Sequence, residues 1–256
     1  TMKAKYELVE NLTGKNIVIV NYDDIRLQTM SEWAIRDGHT VWWVTREQRE
    51  NTPKNTFSIK NIDSTTTSLV FDISYENTTQ KVSVPIIGAH QANNITAAIA
   101  AAVAAEVPIE KAVGSIKLLT SIPHVLEEKK GIRGSRYIDD TFNNNPDASK
   151  AALLVLGMYK TRKIFVFQPM IELGTYAQSS HYDVGILAGQ VCDEVIIVGE
   201  DWAEDFIKGV RSMQTNCTVQ VLSIDAAASY LRTHIKSTDT ILFKGKSSGL
   251  VLSGIS

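Results

Sequence analysis

The second half of the chain alternates short apolar runs with helix-length segments, and this alternation constrains the fold more than any other feature. Strands joined by helices of roughly ten or more residues pair in parallel, which predicts an open α/β sheet. Expected helices are 148–159, 181–191, 203–213 and 226–234, and expected strands are 163–167, 194–198, 219–222 and 240–243. Because such sheets bind ligands at the carboxyl ends of their strands, the candidate functional loops are 139–146, 168–174 and 244–248.

The first half mixes strands and helices, and a boundary is expected near Pro123. Expected elements are strands at 16–21 and 41–44, a strand meander across 51–85, an Ala-rich helix at 95–105 and a helix at 109–119. After Pro123, residues 125–127 and 135–139 are expected to form a hairpin. We therefore expect two domains, 1–122 and 123–256.

Composition and charge narrow the class of protein. The 256 residues are 44% hydrophobic and 21% charged, which is ordinary globular usage. With 26 basic and 28 acidic residues the net charge is −2, which argues against a nucleic-acid partner. No apolar run approaches the roughly 18 residues of a membrane span, and no secretory signal is visible, so we expect a cytoplasmic protein without a membrane partner. Cys192 and Cys217 are too few for a disulfide scaffold or a Cys-rich zinc site.

The loop Asp139-Asp140-Thr141-Phe142-Asn143-Asn144-Asn145-Pro146 leaves a predicted strand and enters a predicted helix. Asn145 can cap that helix, and Pro146 fits its first turn. Two adjacent carboxylates at a strand end can accept hydrogen bonds from ribose hydroxyls or hold a cation through water. A polar turn with a helix cap explains the same residues. Adding Glu172 and His181 to the aspartates gives no known metal-ligand spacing.

The loop Gly88-Ala89-His90-Gln91-Ala92-Asn93-Asn94 precedes the Ala-rich helix. Its amide side chains can cap the helix or pair with a purine edge. A single histidine at such a position fits a capping or core role as well as a catalytic one.

The chain contains no complete phosphate-binding loop. Gly245-Lys246-Ser247 lacks the required glycine five residues before Gly245, where Thr240 stands. Gly14-Lys15-Asn16 precedes a strand rather than a helix.

The order of these motifs resembles that of the Mur ligases, the ATP-dependent amide-forming enzymes of peptidoglycan precursor synthesis, and most of all the MurF type. In chain order the motifs are the 88–94 loop before an Ala-rich helix, Pro123–Glu127, Tyr137–Asp147, Met170–Gly174 and His181. The loop 137–147 and the segment 170–181 are the specific parts of the resemblance, which covers nearly the whole chain.

The resemblance implies a partial Mur-ligase central domain followed by a Rossmann-like C-terminal domain with a mostly parallel sheet. Residues 1–122 would be the second half of the central ATPase domain, whose P-loop lies upstream of this sequence. The full-length enzyme would use ATP and Mg²⁺ to join D-Ala-D-Ala to a UDP-MurNAc-tripeptide through an acyl-phosphate. It would act as a monomer on these small-molecule substrates, and we expect the present chain alone to be inactive.

The resemblance also assigns the nucleotide-side residues. His90 and Asn94 match the family loop beside adenine, and Asp140 matches the residue at the ribose. Asn143 and Asn145 line the same loop as Asp140.

On the amino-substrate side, Glu172 and His181 match family positions near the incoming amine, and His181 is expected to be catalytic. Lys5 matches a lysine that is carbamylated in some members, where it helps to hold a second Mg²⁺ during catalysis.

The sequence departs from the family pattern at Gln91, Val125, Gln168-Pro169 and Lys246-Ser247. Val125 stands where a nucleotide-contacting arginine is usual, and Pro169 removes a backbone donor from a cleft loop. Two alternatives therefore stay open. One is a sister amide ligase of the folylpolyglutamate or cyanophycin synthetase type, and the other is a non-catalytic binding module that kept the fold.

Overall fold

The computed structural model describes residues 2–14, 16–46 and 53–255. Contacts within the chain divide it into two compact units, residues 1–120 and residues 121–256. Both units are built from strands and helices around their own cores, so the expected α/β class is confirmed.

Within the described residues, the first unit contains a five-stranded sheet in the order β1-β2-β3-β4-β5. The strands are β1 (Ile17–Asn21), β2 (Thr40–Thr45), β3 (Thr56–Ser64), β4 (Leu69–Tyr75) and β5 (Thr78–Val84). The first three strands pair in parallel, and β3, β4 and β5 pair antiparallel as the expected meander. The helices are α1 (Met2–Glu10), α2 (Ile25–Arg36), α3 (Gln91–Ala104) and α4 (Ile109–Ser115), the last followed by a short 3-10 turn at Ile116–Leu118.

The core of the first unit forms between the meander and α3. Phe57 and Tyr75 stack with ring centroids 4.0 Å apart, and Ile95 and Ile99 of α3 belong to the same buried cluster. The alanines of α3 are small enough to let the helix backbone approach the sheet closely.

In the described part of the second unit, six strands are ordered β10-β9-β8-β11-β7-β6. They are β6 (Glu127–Lys130), β7 (Arg136–Asp140), β8 (Lys163–Phe167), β9 (Glu194–Val198), β10 (Thr218–Leu222) and β11 (Thr240–Lys244). Every pairing is parallel except that of the edge strand β6 with β7. The mostly parallel sheet predicted for this half is therefore confirmed.

The helices of the second unit cover both faces of its sheet. They are α5 (Pro146–Gly157), α6 (Ala177–Val191), α7 (Ala203–Ser212), α8 (Ile224–His234) and α9 (Lys246–Ile255). The connections through α5, α6 and α7 step in one direction across the sheet, and the return from β10 to β11 runs through α8 in the opposite direction. Because such crossovers are right-handed, α8 lies on the other face, where α8 and α9 share a buried core with the strands.

Several helices differ from the sequence-based expectation: α1 was not predicted, α3 begins at Gln91 rather than at 95, and α4 ends at Ser115 rather than at 119. Helix α9 was not predicted, and α6 begins at Ala177 rather than at His181. Among the residues that the structure describes, no helix is long and apolar enough to cross a membrane.

Candidate functional site

The carboxyl ends of β8, β11 and β7 lie side by side in the second unit. The loop 141–145 leaves β7, the loop 168–173 leaves β8, and Gly245 connects β11 to α9. The order of strands reverses here, since β11 returns from the far edge to lie between β7 and β8. Open α/β sheets bind ligands at such a reversal, which makes this edge the candidate site.

A buried ion pair between Asp140 and Lys244 stands at the centre of this edge. The two residues are register partners on β7 and β11, and Lys244 Nζ donates to Asp140 Oδ2 at 2.6 Å. The side chains are only 9% and 2% exposed, respectively. Burial raises the pKa of Asp140, and the neighbouring ammonium of Lys244 opposes that shift. A buried lysine needs such a countercharge, so each of the two groups depends on the other.

The second carboxylate oxygen of Asp140 is also engaged, because Oδ1 accepts from the backbone N–H of Leu126 at 3.3 Å. Each carboxylate oxygen can accept a second hydrogen bond, so these contacts leave room for a ribose hydroxyl. The expected contact of Asp140 with a ribose stays a prediction. Sequence reasoning assigned no role to Lys244. The available signal was a lysine directly after the apolar run Ile241–Phe243, in a strand that pairs beside an acidic strand end.

Asp139 is fully buried and belongs to a different network. Its Oδ2 accepts from Lys129 Nζ at 2.6 Å and lies 2.9 Å from His124 Nδ1, while Oδ1 accepts from the Thr141 hydroxyl at 2.7 Å. Burial alone would raise the pKa of Asp139, but the hydrogen bonds from Lys129, Thr141 and His124 outweigh it and lower the pKa. The two adjacent aspartates therefore have pKa values displaced in opposite directions.

His124, Glu127 and Asp139 place potential metal-ligand atoms within 4.8 Å of one another. The ammonium of Lys129 already lies between two of them, 3.0 Å from Glu127 Oε2 and 2.6 Å from Asp139 Oδ2. A cationic side chain thus compensates these carboxylates, and the cluster as it stands does not fit a divalent cation.

His181 is fully buried at the base of the loop that follows β8. Its Nε2 accepts from the backbone N–H of Met170 at 2.9 Å, and its Nδ1 lies 2.7 Å from the carbonyl oxygen of Ala177. Because a backbone N–H donates to Nε2, the ring is neutral with its proton on Nδ1. Burial lowers the pKa of His181, which favours that neutral form. The ring also stacks on Trp202, with centroids 6.0 Å apart.

Through these contacts His181 holds the loop after β8 in place. Its expected contact with an amino substrate stays a prediction. Glu172, two residues after Met170, is exposed and has a positive φ of 61°. Helix α6 has Tyr176 at its N-cap position, and no side chain caps this helix start.

Two family models match this chain consecutively. The Mur ligase middle domain matches residues 1–102, and the glutamate ligase domain of Mur ligases matches residues 125–247. The chain belongs to the Mur ligase family. The resemblance inferred from the motifs is therefore confirmed at the level of the family.

Among relatives of this Mur ligase chain, the UDP-N-acetylmuramoylalanine–D-glutamate ligase of Lachnoclostridium phytofermentans is 24% identical over 94% of the chain and 49% of the relative. The UDP-N-acetylmuramoyl-tripeptide–D-alanyl-D-alanine ligase of Escherichia coli is 25% identical over 77% of the chain and 43% of the relative. A crystal structure of MurF from Acinetobacter baumannii superposes with a TM-score of 0.82 at 24% identity, over 99% of the chain and 54% of that structure. The chain spans about half the length of the curated relatives it matches.

The asparagines of the 141–145 loop have separate tasks in this Mur ligase chain. Asn145 caps α5, accepting from the Ala148 backbone N–H at 2.9 Å, as the capping prediction has it. Asn144 donates to the carbonyl oxygen of Gln168 at 2.6 Å. Asn143 is exposed and accepts from the backbone N–H of Asn144. Contacts of Asn143 and Asn145 with a nucleotide stay predictions.

Gly245-Lys246-Ser247 follows a strand and opens a helix, as a phosphate-binding loop would. The backbone N–H of Ser247 donates to Gln168 Oε1 at 2.6 Å, so the side chain of Gln168 already satisfies one of the donors at this helix start.

The nucleotide-side residues of the first unit surround the start of α3. His90 occupies the N-cap position without a side-chain capping bond, which does not support the capping alternative. Asn94 is exposed and donates to Gln91 Oε1 at 3.0 Å. Arg46, to which sequence reasoning assigned no role, binds the same loop through Asn93 and through the Ala89 carbonyl oxygen. Whether His90, Asn94 and Asp140 meet at one nucleotide stays a prediction.

Lys5 lies on the exposed side of α1, one residue before the buried Tyr6. The side chain is open to solvent, and its carbamylation, which would proceed from the neutral amine, stays a prediction.

Proposed function

We propose that the complete protein is an ATP-dependent ligase that joins D-alanyl-D-alanine to a UDP-MurNAc-tripeptide. The observation that carries the proposal is the consecutive match to the middle and glutamate ligase domains of Mur ligases. The relatives named as D-alanyl-D-alanine ligases and the MurF-type motifs at 137–147 and 170–181 support the choice of amino substrate.

The proposed chemistry has two steps. A carboxylate oxygen of the tripeptide attacks the γ-phosphorus of ATP, which forms an acyl-phosphate and releases ADP. The amine then attacks the acyl carbon, loses a proton and expels phosphate as the amide forms. Catalysis of this kind depends mainly on positioning and on neutralising charge at the phosphates.

The residues of this chain would supply positioning at three places: the ribose, the incoming dipeptide and the adenine. Asp140 would accept a hydrogen bond from a ribose hydroxyl, with its carboxylate held by Lys244. Glu172 would hold the ammonium of the incoming dipeptide, and His181 would keep the backbone of that loop in place through Met170. His90 and Asn94 would lie beside the adenine.

Mg²⁺ would neutralise charge on the phosphates of ATP. The cluster of Glu127 and Asp139 does not fit it, because Lys129 already compensates both carboxylates. A carbamylated Lys5 would offer the type of oxygen ligand that Mg²⁺ prefers. We further propose that the complete protein acts as a cytoplasmic monomer without nucleic-acid or membrane partners.

D-Glutamate is a second candidate for the amino substrate. It is supported by the match to a D-glutamate ligase, which is 24% identical to this chain, although D-alanyl-D-alanine ligases match with equal coverage. D-Glutamate carries two carboxylates and D-alanyl-D-alanine carries one, and each is joined to a different acceptor, so activity with each pair of substrates separates the two candidates.

The test is phosphate release by the complete protein with ATP, Mg²⁺, the nucleotide-linked acceptor and either amino substrate. We expect release that depends on both the UDP-MurNAc-tripeptide and D-alanyl-D-alanine, and little with D-glutamate and UDP-MurNAc-L-alanine. The reverse preference would establish the second candidate. No substrate-dependent release from the complete protein would support the binding-module alternative and contradict the proposal.

A further inference from the structure

Gln168 lies where several elements of the candidate site meet, at a position that does not match the expected family pattern. Its backbone N–H donates to the carbonyl oxygen of Lys244 at 3.0 Å. Its own carbonyl oxygen accepts from Asn144 Nδ2 at 2.6 Å. Its side-chain Oε1 accepts from the Ser247 backbone N–H at 2.6 Å. One residue thus joins the end of β8 to β11, to the 141–145 loop and to the start of α9.

Each partner of Gln168 is itself fixed. Asn144 Oδ1 accepts from the hydroxyl of Ser149 on α5 at 2.5 Å, so the amide that reaches Gln168 is held in one orientation. Lys244 is buried against Asp140, and its carbonyl oxygen also accepts from the Ser248 hydroxyl at 2.9 Å. These bonds connect Gln168 to groups that have little freedom to move.

The Gln168 side chain packs directly against the backbone of Gly245. A Cβ atom at position 245 would lie 2.9 Å from Gln168 Cβ, and the φ of Gly245 is +90°. Glycine is therefore required there both by the backbone conformation and by the close approach of Gln168.

The loops that Gln168 connects carry the two sides of the proposed reaction. The 141–145 loop follows Asp140 on the nucleotide side, and the loop after β8 carries Glu172 on the amino-substrate side. We propose that Gln168 is a positioning residue. Its main chain connects the loop after β8 to the 141–145 loop, and its side chain fixes the start of α9 against both loops, so that nucleotide and amine are held at one fixed spacing. This inference rests on the proposed function and adds a role for a residue that the family motif does not assign.

Two substitutions of Gln168 distinguish the effect of its hydrogen-bond acceptor from the effect of its side-chain volume. Gln168→Leu keeps a similar size but removes the acceptor for Ser247. Gln168→Glu keeps an acceptor oxygen, and a negative charge at a helix N-terminus is favourable. Gln190→Leu is the matched control, because Gln190 is an exposed glutamine near the far end of α6.

Gln168→Leu keeps the main-chain contacts of this residue and releases the start of α9 from the two loops. In the complete protein, it should therefore raise KM for ATP and for the amino substrate together, each by about fivefold, the effect of one lost hydrogen bond. Gln168→Glu should restore both KM values to within about twofold, and Gln190→Leu should change neither. A merely structural role would reduce the amount of active enzyme, and so kcat, at unchanged KM. Unchanged KM values in Gln168→Leu, or no rescue by Gln168→Glu, would overturn the proposal.

Amide hydrogen exchange in the same proteins provides a readout that does not depend on turnover. Gln168→Leu should speed exchange at Ser247 while leaving Ala226, which Ser223 caps on α8, unchanged. Equal exchange rates at Ser247 in the wild-type protein and in Gln168→Leu would contradict the proposed positioning role, whatever the activity of the two proteins. Absence of ligation by the wild-type protein, with the expected exchange at Ser247, would instead contradict the proposed function alone.

Discussion

At the residue scale, the ion pair between Asp140 and Lys244 has the largest energetic consequence. Removing one partner of a buried pair leaves an uncompensated charge in a region of low polarity. Lys244→Met should therefore lower the free energy of unfolding by about 3–5 kcal/mol. Lys163→Met is the matched control, since Lys163 pairs with the half-exposed Asp193 at 3.6 Å and should cost at most about 1 kcal/mol. Urea unfolding followed by circular dichroism measures both, and equal costs would contradict a buried pair.

The pH dependence of the same variant is a second residue-scale prediction. Burial raises the folded-state pKa of Asp140, and loss of Lys244 removes the charge that opposes this shift. A carboxyl group with a raised folded pKa contributes stability that is present at low pH and lost as pH rises through that pKa. The cost of Lys244→Met should therefore grow from acidic to neutral pH. A cost that is independent of pH would show that Asp140 is not the stranded charge.

The lowered pKa of His181 makes the folded protein less stable as the pH falls. Its folded pKa lies below the ordinary value of about 6.5, so the unfolded chain binds the proton more readily and stability falls as pH falls through that interval. His181→Leu should lose this pH-dependent part and should cost about 1–3 kcal/mol at neutral pH, because the Met170 N–H is left without its acceptor. His234→Leu, on the exposed side of α8, is the control. Urea unfolding midpoints measured from neutral to acidic pH test this prediction. If the stability of His181→Leu fell with pH as much as that of the wild-type protein, His181 would not be the source of the acid sensitivity.

At the scale of elements, the cap of α5 separates a structural task from a nucleotide contact. Asn145→Ala should destabilise the second unit by about 1 kcal/mol, and Asn145→Asp should restore that stability because Asp caps equally well. Ser223→Ala removes the corresponding cap of α8 and should cost a similar amount. Thermal unfolding measures all three, and a failure of Asn145→Asp to restore stability would contradict the capping role.

The alternation of apolar runs and helical segments was sufficient to predict the parallel sheet of the second unit. Strands such as β9 are apolar along almost their whole length, because helices cover both faces. Helix α9 was not predicted because its sequence begins Lys246-Ser247-Ser248-Gly249, which has low helix propensity. Its packing on β11 and α8, together with the Gln168 acceptor at its start, compensates for that sequence. The start of α6 was placed too late because it follows a 3-10 turn without a side-chain cap.

The candidate site was predictable in part. The strand-end loops could be located because parallel strands direct their carboxyl ends to one edge of the sheet. The partners of their side chains could not, since Asp140 and Lys244 are 104 residues apart and meet only through the register of β7 and β11. The same holds for the contacts of His181 with Met170 and Trp202, which depend on how the loop after β8 folds back.

At the scale of the whole molecule, this chain contains two α/β units and spans about half the length of the curated relatives it matches. The 256 residues contain no complete phosphate-binding loop, and such loops provide most of the charge neutralisation in phosphoryl transfer. We therefore expect the isolated chain to fold without releasing phosphate from ATP, even with both peptide substrates present. Substrate-dependent phosphate above a no-protein control would place the phosphate site within these residues.

The most direct measurement of the central claim follows an oxygen atom through the reaction of the complete protein. The tripeptide carboxylate is labelled with oxygen-18, and the amide and the inorganic phosphate are analysed by mass spectrometry after one turnover. An acyl-phosphate route predicts that each amide formed is accompanied by one phosphate carrying one labelled oxygen, with the second label retained in the amide carbonyl. Amide formation with unlabelled phosphate would contradict the ligase mechanism proposed here.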